Sequence, residues 1–222
     1  MPIAPMSKMT CVPILLLLAS QAAAGGNPYF EPTAYLGATD SPFYERSGYF
    51  EDFEDGQLNT LGVSFSAGRV VGPGFNVDSV DADDGFIDGN GNDGKSWFVV
   101  GSAGLLTVTF DAQALDGLPT WAGIVWTDGR NDVMFEAFDA NGESLGIMSS
   151  ATSDGNSYGG TAEDRFFGLD WEGGISSFNL WNTAELPMEV DHLWYGTIIP
   201  APGAASVISI LALVAAGRRR RH

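Results

Sequence analysis

The 222-residue chain has one cysteine, two histidines and ten basic residues, and each shortage closes off a class of function. Cys11 lies near the N-terminus, so a domain beyond it has no disulfide and no thiolate metal centre to lean on. Of the histidines, His222 is the last residue, which leaves His192 alone within the body of the chain. A zinc site built from imidazoles and thiolates is therefore not available, and a hydrolytic triad would have to use His192. The basic residues are also badly placed for binding nucleic acid. Lys8 and Arg218 to Arg221 sit at the two ends, which leaves Arg46, Arg69, Lys95, Arg130 and Arg165 to face all 28 acidic residues. A field of that sign repels phosphate backbones, so nucleic acid is excluded as a partner and divalent cations are favoured. No apolar run reaches the length of a full transmembrane helix; the longest candidate, 204–217, would cover about 21 Å of a hydrocarbon core about 30 Å thick.

The two ends carry an address. Residues 1–24 have a lone lysine, an apolar block from Val12 to Ala19, and small residues with an A-x-A pattern at Ala22 and Ala24. This is the layout of a secretory signal peptide, and export is expected. Residues 198–222 have three parts: a short motif Pro200, Ala201 and Pro202, the apolar run Ala204 to Ala216, and the cluster Arg218, Arg219, Arg220 and Arg221. Arginines directly after an apolar run stay cytoplasmic, which places the acidic domain outside. The tail resembles the PEP-CTERM class of bacterial sorting signals in a Pro-Ala-Pro variant. That resemblance implies an exosortase-type protease as partner, membrane insertion of the tail before processing, and delivery to the cell envelope or to an extracellular, biofilm-associated matrix. The alternative is a plain membrane-anchored structural protein that keeps its arginines.

Between the ends the chain reads as all-β. Runs such as "GVSFSAG", "WFVVG", "LLTVTF", "WAGIVWTDG", "DVMFEAFDANG", "GISSFNLWN" and "EVDHLWYG" are separated by turn residues, and no helical period or internal repeat is apparent. In "LLTVTF", Leu106, Val108 and Phe110 face one way and the two threonines the other. "DANG", 139–142, has the composition of a hairpin turn. The expected fold is a two-sheet antiparallel β-sandwich, jelly-roll-like, over 49–197, with 25–48 as an irregular lead-in and the tail as a short hydrophobic helix.

The densest chemistry is "DSVDADDGFIDGNGNDGKS", 78–96, in which Asp81, Asp83, Asp84, Asp88, Asn90 and Asn92 offer oxygen ligands among glycines. Hard cations take six to eight such oxygens, so a structural Ca²⁺ is a candidate cofactor, set against a solvated acidic turn. The phrase "YFEDFEDG", 49–56, resembles the entry of jelly-roll carbohydrate-binding modules, and that resemblance implies a Ca²⁺ shared by Glu54 and Asp191. The other reading of Glu51, Asp52, Glu54 and Asp55 is a set of charges that blunt an exposed strand edge.

No catalytic residue stands out. Strand alternation in "EVDHLWYG" puts Val190, His192 and Trp194 on one face, where a histidine is more often packed than catalytic. Carboxylates such as Glu136, Glu163 and Asp164 are candidates for a polysaccharide hydrolase or lyase, while Glu163, Asp164 and Arg165 also read as a local ion-paired turn. Of the six tryptophans, Trp171 in "GLDWEGG" is the candidate for an exposed ring on which a sugar could stack, with Asp170 and Glu172 beside it. The function expected is therefore a non-catalytic surface or matrix protein that binds extracellular polysaccharide.

Overall fold

The computed structural model describes residues 26–73, 77–82, 94–100, 105–151 and 163–198. Within them run twelve strands: β1 (Thr33–Ala34), β2 (Tyr49–Glu51), β3 (Val63–Phe65), β4 (Arg69–Val71), β5 (Ser96–Val99), β6 (Leu105–Phe110), β7 (Trp121–Asp128), β8 (Val133–Asp139), β9 (Ser144–Ser150), β10 (Arg165–Asp170), β11 (Ile175–Asn182) and β12 (Met188–Gly196). Seven of these form one sheet, ordered β1-β10-β7-β12-β5-β4 with β2 also paired to β12, and five form the other, ordered β3-β6-β11-β8-β9. Every pairing is antiparallel. The expected two-sheet sandwich is thus observed. The ladders also pair β5 with β12, β6 with β11, β7 with β10 and β8 with β9. That is one long antiparallel ribbon wrapped over two sheets, an order shared with jelly rolls.

Burial follows position in the sandwich. In β6, Leu106, Val108 and Phe110 are buried and alternate with more exposed residues, because only one face of the five-stranded sheet packs on a core. Strands β7 and β12 show no such alternation, since every residue of both is buried. The central strands of the seven-stranded sheet are covered on both faces. On the inner side, Ile124, Trp126, Phe167, Val190, Leu193 and Tyr195 meet Phe135, Phe178 and Leu180 of the opposite sheet. On the outer side, Tyr35, Phe43 and Val80 close over Trp121, Val125, Phe166 and Trp194 in a second core.

The segment expected as an irregular lead-in supplies that outer layer. Short β1 pairs with β10, and Arg46 reaches Asp170 through two hydrogen bonds of 2.5 and 3.0 Å while its guanidinium lies 4.6 Å from the ring centroid of Phe43. Phe166 sits flat enough under this layer because it crosses Gly123 and Gly168, which are directly opposed in the β7–β10 ladder. A Cβ on Gly123 would come within 2.3 Å of the Phe166 ring, so the position excludes a side chain.

Three local expectations need correction. Residues 163–165 are not a local turn closed by Arg165: Arg165 opens β10 and donates to the Asp164 carbonyl, while Glu163 accepts from the Gly129 N–H. Glu51 does not blunt an edge either. It is buried, and its carboxylate accepts from the N–H groups of Phe53, Asn59 and Thr60 and from the Thr60 hydroxyl, which folds the 51–60 loop around it. The third correction concerns β12 and leads to the site.

Candidate functional site

Strict alternation would place Val190, His192 and Trp194 together, but β12 carries a bulge. Against β7 its register runs Asp191 opposite Val125 and then Trp194 opposite Gly123, so two residues of β12 face one of β7. His192 absorbs the irregularity with φ of 40°, a left-handed conformation uncommon outside glycine though less so for histidine. Val190, Leu193 and Tyr195 then point into the inner core, and Asp191 and His192 turn to the outer layer with Trp194. The bulge also marks a change of neighbour. Met188 to Val190 pair with β5, whereas Leu193 to Tyr195 pair with β2.

Segment 77–82 plugs the break. The Asp191 carboxylate, fully buried, accepts from the Val80 N–H at 3.0 Å, the Ser79 hydroxyl at 3.1 Å and the His192 N–H at 2.8 Å. His192 is held at both ring nitrogens, by the Tyr35 hydroxyl at Nδ1 (2.9 Å) and by Asp81 at Nε2 (3.0 Å). Trp194 Nε1–H donates to the same tyrosine oxygen, so the network assigns the hydroxyl proton to Nδ1 and the imidazole proton to Nε2, facing Asp81. Burial disfavours a charged His192, but the carboxylates of Asp191 and Asp81 outweigh it and the pKa ends above its ordinary value. Burial likewise pushes Asp191 upward against the opposing pull of His192 and the donated hydrogen bonds. Two residues earlier, burial pushes Glu189 up to about 8, with the charges of Asp128 and Asp78 adding to it and the Asp78 N–H opposing it.

Outside this buried knot lies an aromatic shelf. Phe50 of β2 is directly opposite Trp194, with ring centroids 4.2 Å apart, and stands edge-on to His192 at 4.8 Å. Tyr44 of the outer layer meets the same tryptophan at 6.4 Å. Tyr44 is 51% and Phe50 36% exposed, while Trp194 backs them at 7%. The Asp81 side chain, 39% exposed, supplies carboxylate oxygens beside the rings.

The residues singled out in the sequence are distributed unevenly over this geometry. Asp81 and Asp191 do converge, and with His192 they form the one group of three or more potential metal donors, among the described residues, whose ligand atoms lie within 4.8 Å of one another. Glu54 is not in it. Its carboxylate accepts from the Lys95 N–H, and its carbonyl accepts from Lys95 Nζ. Asp83, Asp84, Asp88, Asn90 and Asn92 fall outside the described residues, as do Pro200, Ala201, Pro202 and Arg218 to Arg221. Two carboxylates and an imidazole do not meet the six to eight oxygens of Ca²⁺; a nitrogen donor in so small a set suits a transition ion better. The hydrogen bonds already account for all three side chains as a clamp. Trp171 is half-buried, packed on the inner core and folded close over Gly173, rather than a free platform. Glu136 lies on β8 of the five-stranded sheet, bonded to the Ser144 hydroxyl, and Glu163 precedes β10 of the other sheet. No helix among the described residues is long and apolar enough to cross a membrane.

Sequence reasoning missed Tyr35, Tyr44, Phe50 and Ser79. Only Phe50, in an acidic phrase next to a strand, carried any signal, because the others gain meaning from contacts 112 to 159 residues away in sequence.

No family model matches the chain, and no curated protein matches it by sequence. Among solved structures it is similar to an exo-beta-1,3-galactanase from Phanerochaete chrysosporium, at 17% identity and a TM-score of 0.33, over 67% of this chain and 29% of that one. It is also similar to an exo-beta-agarase, at 13% identity and a TM-score of 0.34, over 71% of this chain and 26% of that one. The chain spans less than a third of the length of either protein.

Proposed function

We propose that this chain is an exported, non-catalytic β-sandwich protein of the cell surface or extracellular matrix that holds carbohydrate on the shelf formed by Tyr44 and Phe50. The observation that carries the reading is the pairing of exposed rings with a rigid backing. Trp194 fixes the tilt of both, so little side-chain entropy is lost when a sugar stacks on them. The neighbouring Asp81 offers acceptors for sugar hydroxyls, while its bond to His192 keeps it in place. Such a site needs no reacting group. The only imidazole nearby is buried and occupied at both nitrogens, which suits it to structure rather than proton transfer.

A glycan array probed with the full chain tests the shelf. Binding is expected to one or more neutral polysaccharide classes, and Phe50→Ala with Tyr44→Ala should weaken it at least tenfold without lowering the melting temperature by more than a few degrees. Undiminished binding by the double variant would remove the shelf from the account.

Export and sorting belong to the same proposal and rest on the two terminal segments. The protein recovered from the envelope or medium of an exporting bacterium should have an intact mass that lacks both the segment up to Ala24 and the cluster Arg218 to Arg221. Retention of the arginines would favour the plain membrane anchor.

A further inference from the structure

At the other end of β12 the outer face of the seven-stranded sheet is hollow. The floor is a single cross-strand row: Arg69 of β4 is opposite Phe98 of β5, Phe98 is opposite Glu189 of β12, and Glu189 is opposite Asp128 of β7. Directly opposed residues project to the same face, and Val99 and Val190, the next residues of β5 and β12, point into the inner core. The row therefore faces outward. Val77 and the turn Leu186 to Pro187 wall it, Arg130 stands beyond Asp128, and the cavity they enclose measures about 490 Å³. That lies within the range of small-ligand sites, roughly 300–1,000 Å³.

The charges in this cavity are unusual for the molecule. Of the five basic residues between the chain ends, two, Arg69 and Arg130, line it. Arg69 is exposed at the cavity's edge. A guanidinium there, a half-buried phenyl face next to it, and carboxyl oxygens one and two strands further on define three different needs in sequence. The ligand must have a carboxylate for the guanidinium, an apolar ring face for Phe98, and hydroxyl donors for Glu189 and Asp128. A phosphate dianion meets the first need but has no apolar ring face to set against Phe98.

We propose that this cavity binds a carboxylated sugar ring, a uronate unit of an acidic polysaccharide, with Arg69 taking the carboxylate. The inference rests on the carbohydrate-binding reading above but places a second, chemically distinct subsite on the same sheet face, on the far side of segment 77–82 from the shelf. Val77 of that segment lines the cavity and Asp81 touches His192.

Isothermal titration of the full chain with oligogalacturonate, and with a neutral galactose oligomer of the same length, tests it. The uronate should bind, with an affinity that falls as salt is raised. Arg69→Gln should lower that affinity at least tenfold, Arg69→Lys should lower it less, and Phe50→Ala with Tyr44→Ala should leave it unchanged. Since Arg69 is exposed, both of its variants should melt within a few degrees of the native chain. Equal binding of the uronate by Arg69→Gln, equal binding of the neutral oligomer at this site, or inorganic phosphate binding as tightly as the uronate would each overturn the inference. Loss of uronate binding in the shelf variants, with Arg69→Gln unaffected, would also overturn it while leaving the shelf proposal standing.

Discussion

Replacing Asp191 by alanine should destabilise the fold by about 3–5 kcal/mol, a large fraction of the roughly 5–15 kcal/mol that holds a domain together. The carboxylate satisfies three donors that have no access to water, and each buried donor left without an acceptor costs about 1–3 kcal/mol. The donors also belong to different parts of the chain. Val80 and Ser79 come from the segment that plugs the outer layer, while the His192 N–H belongs to the bulge itself, so one substitution loosens both. Relief from holding a buried carboxylate offsets part of the loss, which is why the expected figure lies below the sum over three donors. Ser79→Ala provides the contrast: it removes one donor, leaves Asp191 two, and should cost about 1 kcal/mol. Urea unfolding of the two variants measures both. A loss below about 1 kcal/mol for Asp191→Ala would mean that the outer layer is not fastened at this point.

The melting temperature should fall as pH rises from about 5 to 9. Glu189 has its pKa raised by burial to about 8, against an ordinary carboxyl value of 4.5. The folded state therefore binds the proton more tightly than the unfolded chain does. That preference stabilises the fold fully below the unfolded pKa, and the benefit is lost progressively as pH climbs through the folded value. Asp191 and His192 are raised as well, so their contributions carry the same sign and fade in the same direction. At pH 9 the ionised Glu189 faces Asp128 and Asp78, with the Asp78 N–H as its compensating donor. Glu189→Gln keeps an acceptor for that N–H and cannot ionise. It should match the native protein near pH 5, exceed it by several degrees near pH 9, and show a flatter profile, since about 1 kcal/mol corresponds to roughly 2–4 °C in a chain of this size. A native profile that rises toward alkaline pH would contradict the protonated state assigned to Glu189.

The sequence made the inner core far more legible than the outer one. Strand β6 announced itself through the alternation of Leu106, Val108 and Phe110, and the β8–β9 hairpin through "DANG", where the Asp139 carboxylate accepts from the Asn141 and Glu143 N–H groups. Both signals are local. By contrast, β9 is an edge strand with no fully buried residue, and β2 is three residues long in an acidic phrase, so neither has a period to read. The outer layer escaped because 26–48 has little regular structure of its own: Tyr35 and Phe43 are recognisable as core only once the sheet they cover exists. The site failed to read for a sharper reason. A bulge shifts every later side chain of a strand to the other face, and nothing in "EVDHLWYG" marks the position at His192. The acidic residues misled in a similar way. Glu51 reads as an edge charge, whereas it is an acceptor that gathers backbone N–H groups, and the Asp191 carboxylate gathers them as well.

The most direct test of the account is to incubate the full chain with the polysaccharide that it binds best on the array and to follow, in one sample, the bound fraction and the length distribution of the polymer. The account predicts saturable binding that depends on Tyr44 and Phe50, with no shortening of the polymer over days. Progressive shortening, or unsaturated chain ends accumulating with time, would contradict it and establish a hydrolase or lyase in place of a binding protein.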